Sequence, residues 1–561
     1  MYSSVDSKSL ARILPVSLLF LGLSLAACGP QKGGGETGGS DAGTQTKPDV
    51  EGISRVTITE NPNNVLSAIV DVETPAEATV ELTVKEGGEA IQTIGPTKAG
   101  ENHELNVLGL HAETSYQFEI VSSSEAGMST HSESFTTGSL PSGFPPIKVK
   151  ASKPDKAADG FRLMSLYRWH KPGEGSGYQT GWGMIVGIDQ HGEVVWYYKA
   201  DHWTWNAHRI SNGNLVYIIA DHEIVEIDMM GNIVNRWHAK DDLGRKPGQD
   251  TYGIHHSVVE QEDGNFVTLS TALQKVEGYK SAGSKANVIG DVAVEFNRQG
   301  DVQSTSSLFD VLSDYTTRRR RGSGGPKWND EYGKDTEDWS HANALTFGNA
   351  DGTLLASLRH QDWLVQWDRE TDELLWRLGP EGDFEFPQGS DGEFNFHQHA
   401  PHWLENGNLM VYDNGNFRSS VQPGEDFYTR VVEYKLDTSG VDIEAGEKGT
   451  VEQVWASKRP PKYFAPHVGH AEVLPNDTVM VSDGGLLEQP QKCIGFNNGK
   501  QVNNTWNCIS NAKNLNWARL VEETHDEKKE KVLEVWIKDT SDDPRGYTMY
   551  RVEYLESLYP K

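Results

Sequence analysis

The stretch Ile188-Asp-Gln-His-Gly-Glu-Val-Val-Trp196 and its counterpart Ile227-Asp-Met-Met-Gly-Asn-Ile-Val-Asn-Arg-Trp237 decide the fold. In each, a strand enters a polar turn at Gly192 or Gly231 and returns as a second strand ending on Trp. The same figure recurs over 296–309 (FNRQGDVQSTSSLF) and 367–376 (WDRETDELLW), and in longer forms ending at Trp455 and Trp536. Before most copies stands another hairpin: SNGNLVYI (211–218), EDGNFVTLS (262–270), ADGTLLASL (350–358), ENGNLMVYD (405–413) and PNDTVMVSD (475–483). Asn-Gly and Asp-Gly supply the positive φ that tight hairpin turns require. Two hairpins make a four-stranded sheet, and serial repetition of such sheets is the mark of a β-propeller. The closers Trp196, Trp237, Phe309, Trp376, Trp455 and Trp536 predict six blades over residues 151–561. Their spacing mostly exceeds the roughly 40–50 residues of a bare blade, so loops carry the surplus. The closing aromatics are expected to be packing between blades.

Upstream, residues 51–137 alternate apolar and polar in short runs (SRVTITE, SAIVDVE, ATVELTV, YQFEIVSS) broken by Pro, Gly and Asn. The run Leu108-Gly-Leu110-His-Ala-Glu-Thr-Ser-Tyr116-Gln-Phe-Glu-Ile resembles the strand entry of fibronectin type III modules, which implies a small β-sandwich of ~90 residues. Residues 138–150, containing GSLPSGFPP, read as a linker. The fold class is thus all-β, a sandwich followed by a propeller.

Residues 1–27 read as an export signal, with Lys8 and Arg12 ahead of an apolar run from Ile13 to Leu25 too short to span comfortably. Leu25-Ala-Ala-Cys28 resembles the lipobox of bacterial lipoproteins, which implies acylation at Cys28. Residues 28–50, rich in Gly, Ser and Thr, form a flexible tether. Gly29, not Asp, follows the cysteine; by that resemblance the expectation is a lipid anchor on the periplasmic face of the outer membrane. Three Cys then resolve into the anchor plus Cys493 and Cys508, read as a disulfide closing a Gly- and Asn-rich loop. Zinc is the rival for that pair, but the segment holds no neighbouring His.

The 561 residues carry a net charge of -30, with 36% hydrophobic and 24% charged side chains, which excludes a multi-span membrane protein and wholesale disorder. Bulk charge also argues against a nucleic-acid partner. Any anionic substrate needs a local basic pocket.

The repeat locates one. Counting eight residues back from the turn glycine finds Trp205 before Gly213, His256 before Gly264 and His399 before Gly407. In the blade turning at Gly352, reading Gly348-Asn-Ala350 as a three-residue insertion puts His341 in frame. Near the last turn the frame falls on Gly469, with His467 and His470 beside it. Propeller chemistry sits where the inner strands begin, so these imidazoles converge on one axis. Asn343 and Arg359 come from the His341 blade. Arg offers a bidentate fork, and His or Asn fills the remaining positions of an oxyanion receptor.

At these residues the sequence resembles the bacterial arylsulfate sulfotransferases. The resemblance runs through Asp338-Trp-Ser-His341-Ala-Asn343, Leu358-Arg359-His360-Gln361, Trp376-Arg-Leu-Gly379, Phe396-His-Gln398-His399 and Asp413-Asn-Gly415, and covers about residues 150–560. It implies an exported six-bladed propeller that moves a sulfuryl group from an aryl sulfate to a phenol through a transient sulfohistidine, without a nucleotide donor, cofactor or metal. By motif, His399 is the nucleophile. His341, Asn343 and Arg359 match the sulfate-binding and acid/base positions, with His341 as acid/base; His256 matches the earlier blade's histidine, with His255 as its alternative. The last blade departs from the family pattern, offering His467 and His470 as donor ligands.

Two other classes fit the same imidazoles: a metal-dependent hydrolase or oxidoreductase, and a surface-tethered propeller that binds without catalysis. The basic segment Arg318 to Arg321 reads either as a solvated loop or as a guide for anions. The sandwich is a spacer or packing module, and a homo-oligomer is left open.

Overall fold

The computed structural model describes residues 52–169, 181–220, 222–239, 253–279, 284–318, 336–503 and 515–560. The signal, the lipobox cysteine Cys28 and the tether lie outside these residues, as do Cys508 and Arg319 to Arg321. Among the described residues no helix is long and apolar enough to cross a membrane.

The first unit is the expected sandwich. Its long strand Ala68–Glu86 breaks register between Glu73 and Ala78, around Pro75, and so serves two sheets: it pairs Arg55–Glu60 and Gly100–Val107 before the break, and Glu89–Ile94 and Ser115–Ser124 after it. Proline has no N–H to give a ladder, so a bend falls there naturally. The backbone N–H of His111 donates to the Tyr116 hydroxyl at 2.8 Å, the corner bond typical of such sandwiches.

Six blades follow, each built on four antiparallel strands; blades 3 and 5 add a short parallel strand, Thr336–Asp338 and Phe384–Glu385. Blade 1 pairs Phe161–Arg168, Gly183–Ile188 and Val194–Ala200 with an inner strand from much later in the chain, Tyr547–Leu555. The inner strands of blades 2 to 6 are His208–Arg209, His255–Glu260, Ala342–Phe347, His399–Trp403 and His470–Val473. Blade 6 gains a fifth, outermost strand, Ile147–Ser152, so the propeller takes up the last residues of the segment expected to be linker.

Middle strands are buried on both faces because each blade packs between two others. Thr353–Leu358 and Gly183–Ile188 are buried throughout. The closers reach across: Trp196 Nε1 donates to Met229 O of blade 2 at 2.8 Å, and Trp237 Nε1 to Arg298 O of blade 3 at 3.0 Å. Truncating either fully buried indole to Ala should cost about 3–5 kcal/mol. Phe309 differs in that it sits on a short helix, Leu308–Val311, stacked on Trp339. Trp455 and Trp536 are only half-buried.

Candidate active site

The ladders give the true frame at the axis. Arg209 pairs Leu215, Glu260 pairs Phe266, Phe347 pairs Leu354, Trp403 pairs Leu409 and Val473 pairs Val479. Four residues before each inner-strand partner stand Trp205, His256, Asn343, His399 and Gly469. The hairpin after Phe347 is longer than its equivalents by one residue, not three, so the in-frame residue of blade 4 is Asn343. His341 lies two positions earlier, at φ 48°. Gly469 is glycine because a Cβ there would enter the ring of Tyr412, the residue paired with His399.

Inner strands of blades 3, 4 and 5 are irregular at this level, with register shifts between His255 and Val258, Ala342 and Ala344, and His399 and His402. Each shift accompanies a left-handed non-glycine residue: His256 (φ 61°), His341 and Ala400 (φ 45°). Such residues cost on the order of 1–3 kcal/mol and persist where surrounding contacts impose them. A bulge re-aims side chains, here around the channel axis.

The imidazoles form an arc. His255 Nδ1 and His256 Nδ1 are 2.7 Å apart. The His256 ring lies 4.7 Å from Trp205 and 5.6 Å from His341. His341 stacks on His360 at 4.4 Å, and His360 lies 6.2 Å from His397. His397 is held by Asp362 Oδ1, 2.8 Å from both its backbone N and Nδ1. His399 Nδ1 lies 2.6 Å from Asn414 Oδ1.

Arg359 links these groups electrostatically. Its Nη2 donates to Pro466 O at 3.2 Å, and burial lowers it to about 10. Burial first, and then the Arg359 charge, hold His341 and His467 down to about 3. The same two causes hold His399 well below the ordinary histidine range, and the charges of His341 and His467 act on it too. Burial chiefly lowers His360 as well. At neutral pH His341, His360, His399 and His467 are therefore neutral imidazoles beside the Arg359 cation, and the group can receive an anion and offer a lone pair.

His256, His341, Arg359, His399 and His467 come together, and His255 stands behind His256, 3.2 Å from Asp291 Oδ1. Asn343 is fully buried, donating its amide to Gln398 O at 2.8 Å. Its backbone carbonyl accepts from the Tyr550 hydroxyl at 3.0 Å and from Arg551 Nη2 at 3.3 Å, both on the blade 1 inner strand. His470 is not brought to the cluster; its ring lies 6.0 Å from His402, farther along the channel. Arg318 is no solvated loop residue: its Nη1 donates to Gln361 O and Oε1, at 2.9 and 2.7 Å, and its guanidinium covers Trp363. Cys493 is buried; its expected bridge partner, Cys508, lies outside the described residues.

With this geometry in hand, comparison supplies the lineage. Residues 147–551 match the arylsulfotransferase (ASST) family profile, and residues 57–138 match the arylsulfotransferase Ig-like domain. The chain belongs to the arylsulfotransferase family. It is similar to arylsulfate sulfotransferase AssT of Escherichia coli O6:H1, 27% identical over 189 residues that cover 28% of this chain and 30% of that protein. It is also similar to arylsulfate sulfotransferase AssT of Lelliottia amnigena, 22% identical over 367 residues, covering 55% and 59%. The matched regions thus span less than two thirds of either relative. The structure of the Pseudomonas aeruginosa periplasmic gluconolactonase PpgL aligns over 70% of this chain and 100% of that one at 8% identity, with a TM-score of 0.32, too slight a likeness to carry an argument.

Sequence reasoning gave no role to Asp338, His360, His397, Asn414 or Tyr550. Asp338 was open to discovery as a carboxylate three residues before His341. Asn414 was not, because its nearness to His399 follows from the His399–Tyr412 ladder pair. In this chain the Asp413-Asn414-Gly415 signature has a physical reason at each position. Asp413 Oδ2 accepts from Arg418 Nη2 and Arg430 Nε, each at 2.8 Å. Asn414 meets His399. Gly415 sits at φ 79°, where a Cβ would strike Tyr428 O.

Proposed function

We propose that this arylsulfotransferase moves a sulfuryl group from a phenolic sulfate ester to a phenol, with His399 as transient carrier. The observation that supports the reading best is that one guanidinium, Arg359, acts on both a buried neutral His399 and a half-buried His341 that is paired with Asp338. Arg359, with His256 and His467, receives the charge spread over the sulfuryl oxygens. His399 attacks sulfur; the N–S bond forms and the S–O bond to the aryl group breaks, its electron pair leaving on oxygen. The anionic ester offsets the Arg359 field, so on donor binding His341, backed by the Asp338 carboxylate, takes a proton from water on Nε2 and passes it to the departing phenolate. The acceptor phenol then returns a proton to His341 and attacks sulfur, and the N–S pair goes back to the imidazole. Neither half needs a nucleotide donor.

The test is a short pulse of chromogenic aryl sulfate with and without phenol, followed by mass spectrometry of the tryptic peptide holding His399. Chromophore release, sulfuryl mass on that peptide and loss of both in His399→Ala are expected. Full release by His399→Ala would sink the assignment. The proposal includes export and a lipid anchor at Cys28, which would hold the propeller outside the cytoplasm with no contact to nucleic acid.

A second reading rests on Asp338, His341 and His360, whose ligand atoms all lie within 4.8 Å of one another, a donor set suited to a divalent transition metal. Arg359 opposes a cation there, and Asp338 already occupies His341 Nδ1. Stoichiometric bound metal, with transfer abolished by chelation and restored by metal, would favour it.

A further inference from the structure

We propose that Asn414 is a positioning residue that locks His399 in the tautomer with hydrogen on Nδ1, leaving Nε2 as the only nucleophilic atom. The lock also retains that hydrogen while the sulfuryl group is carried; this second part rests on the transfer reading above.

The hydrogens around Asn414 fix the tautomer. An asparagine side chain has one acceptor oxygen and one amino group with two hydrogens. Asn414 Nδ2 lies 2.7 Å from Ala465 O and 2.9 Å from Val468 O. Backbone carbonyls only accept, so the amino group must face them and both its hydrogens are spent. The amide oxygen is thereby committed to the remaining neighbour, His399 Nδ1, at 2.6 Å. That oxygen only accepts, so Nδ1 must carry hydrogen. Burial and Arg359 keep the ring neutral, and a neutral imidazole has one N–H. Nε2 therefore holds the lone pair. The usual ambiguity of amide and imidazole orientation is closed here by the two carbonyls. Thr429 braces the same place, its hydroxyl donating to Asn414 O at 3.0 Å.

The lock matters most in the second half of the reaction. When Nε2 attacks, the N–S bond forms, the aryl S–O bond breaks and its electron pair leaves with the phenol oxygen. With Nδ1–H retained, the carrier is an imidazolium bearing a sulfonate, and the group displaced by the acceptor is neutral imidazole. Without that hydrogen the group displaced would be an imidazolate, a far poorer leaving group. An amide oxygen suits the task because it accepts the hydrogen bond without taking the proton. A carboxylate would draw the proton and would face the Ala465 and Val468 carbonyls with no hydrogen to offer.

Long-range proton–nitrogen correlation on histidine-labelled protein, without substrate and near neutral pH, tests the lock, the His399 signals being assigned from His399→Gln. A protonated Nδ1 and a bare Nε2 are expected; the opposite tautomer overturns the proposal. In Asn414→Ala both tautomers should appear, and single-turnover discharge of the carrier to phenol should slow about 10- to 100-fold, with donor KM within twofold. Thr429→Val loosens the same loop without touching His399 and serves as the control. If it slows discharge as much as Asn414→Ala does, the role is structural and the proposal fails. The tautomer is read without turnover, so a correct tautomer with no sulfuryl mass on His399 would sink the transfer reading and leave the lock standing.

Discussion

His341 Nδ1 lies 2.7 Å from Asp338 Oδ2, and His360 Nδ1 lies 2.9 Å from Asp338 O. One residue thus sets two stacked imidazoles, one through its side chain and one through its backbone. A carboxylate accepts and does not donate, so His341 presents Nδ1–H to Asp338 and turns Nε2 toward the cluster.

Asp338→Asn should therefore impair proton transfer more than binding. The expected loss is about 10²- to 10⁴-fold in kcat, with donor KM changed by less than threefold. Poor leaving groups should suffer most, because they depend most on the proton from His341. Steady-state kinetics over a series of substituted phenyl sulfates measures this; an equal loss for all leaving groups would contradict it.

The Arg359 charge disfavours imidazolium at His341, His399 and His467 alike. In wild type the acid limb of kcat/KM should lie below the ordinary histidine range, since His399 stays neutral as pH falls through ~6.5. Arg359→Gln removes the cation, so the three values should rise, His341 and His467 from about 3. NMR titration of labelled histidines checks the direction. No movement in His341 would show that burial alone holds it down.

Farther along the channel, burial and the neighbouring Glu553 charge raise Glu472 to about 8, while burial chiefly lowers His402 to about 4. The two signs differ. Glu472 is protonated when folded and ionised when unfolded between its ordinary value of 4.5 and about 8, so it costs stability as pH rises through that window. His402 is neutral when folded and charged when unfolded between about 4 and 6.5, so its contribution is lost as pH falls through that window. Glu472→Gln should raise Tm at pH 8 by a few degrees and leave it unchanged near pH 4. An equal shift at both values would exclude the ionisation as its cause.

Cys28→Ser should abolish metabolic labelling by a fatty acid and release the protein from the membrane fraction, with the specific activity of the released propeller within about twofold of wild type. Retention in the membrane with no labelled lipid would rule out the anchor.

Much of this was legible in sequence because a repeat carries its own ruler. Turn glycines fixed the hairpins, the hairpins fixed six blades, and counting back from them found His256 and His399. The count failed in blade 4, where Gly348-Asn-Ala350 reads as three added residues while the ladder absorbs all but one. The three-residue count landed on His341, two positions before the in-frame Asn343. His470 was drawn in by sequence proximity, yet a strand alternates its side chains and a few residues carry one from the cluster to the channel beyond. Asn414 lay in the Asp413-Asn-Gly415 motif, but its tie to His399 comes from the pairing of two strands within blade 5, and Tyr550 had no local signal because it reaches the site from blade 1. The closing role of Tyr547–Leu555 was likewise invisible, because no pattern in a strand names a partner far upstream.

That closing strand sets the order of assembly. A chain made from its N-terminus can form blades 2 to 6 before Tyr547–Leu555 emerges, but Asn343 then lacks Tyr550 and Arg551, and blade 1 lacks its inner strand. The histidine cluster becomes whole only when the circle is shut. A half-made or clipped molecule would carry every imidazole of the cluster without the bonds that hold Asn343 beside them, so completion of the site waits on a single late strand.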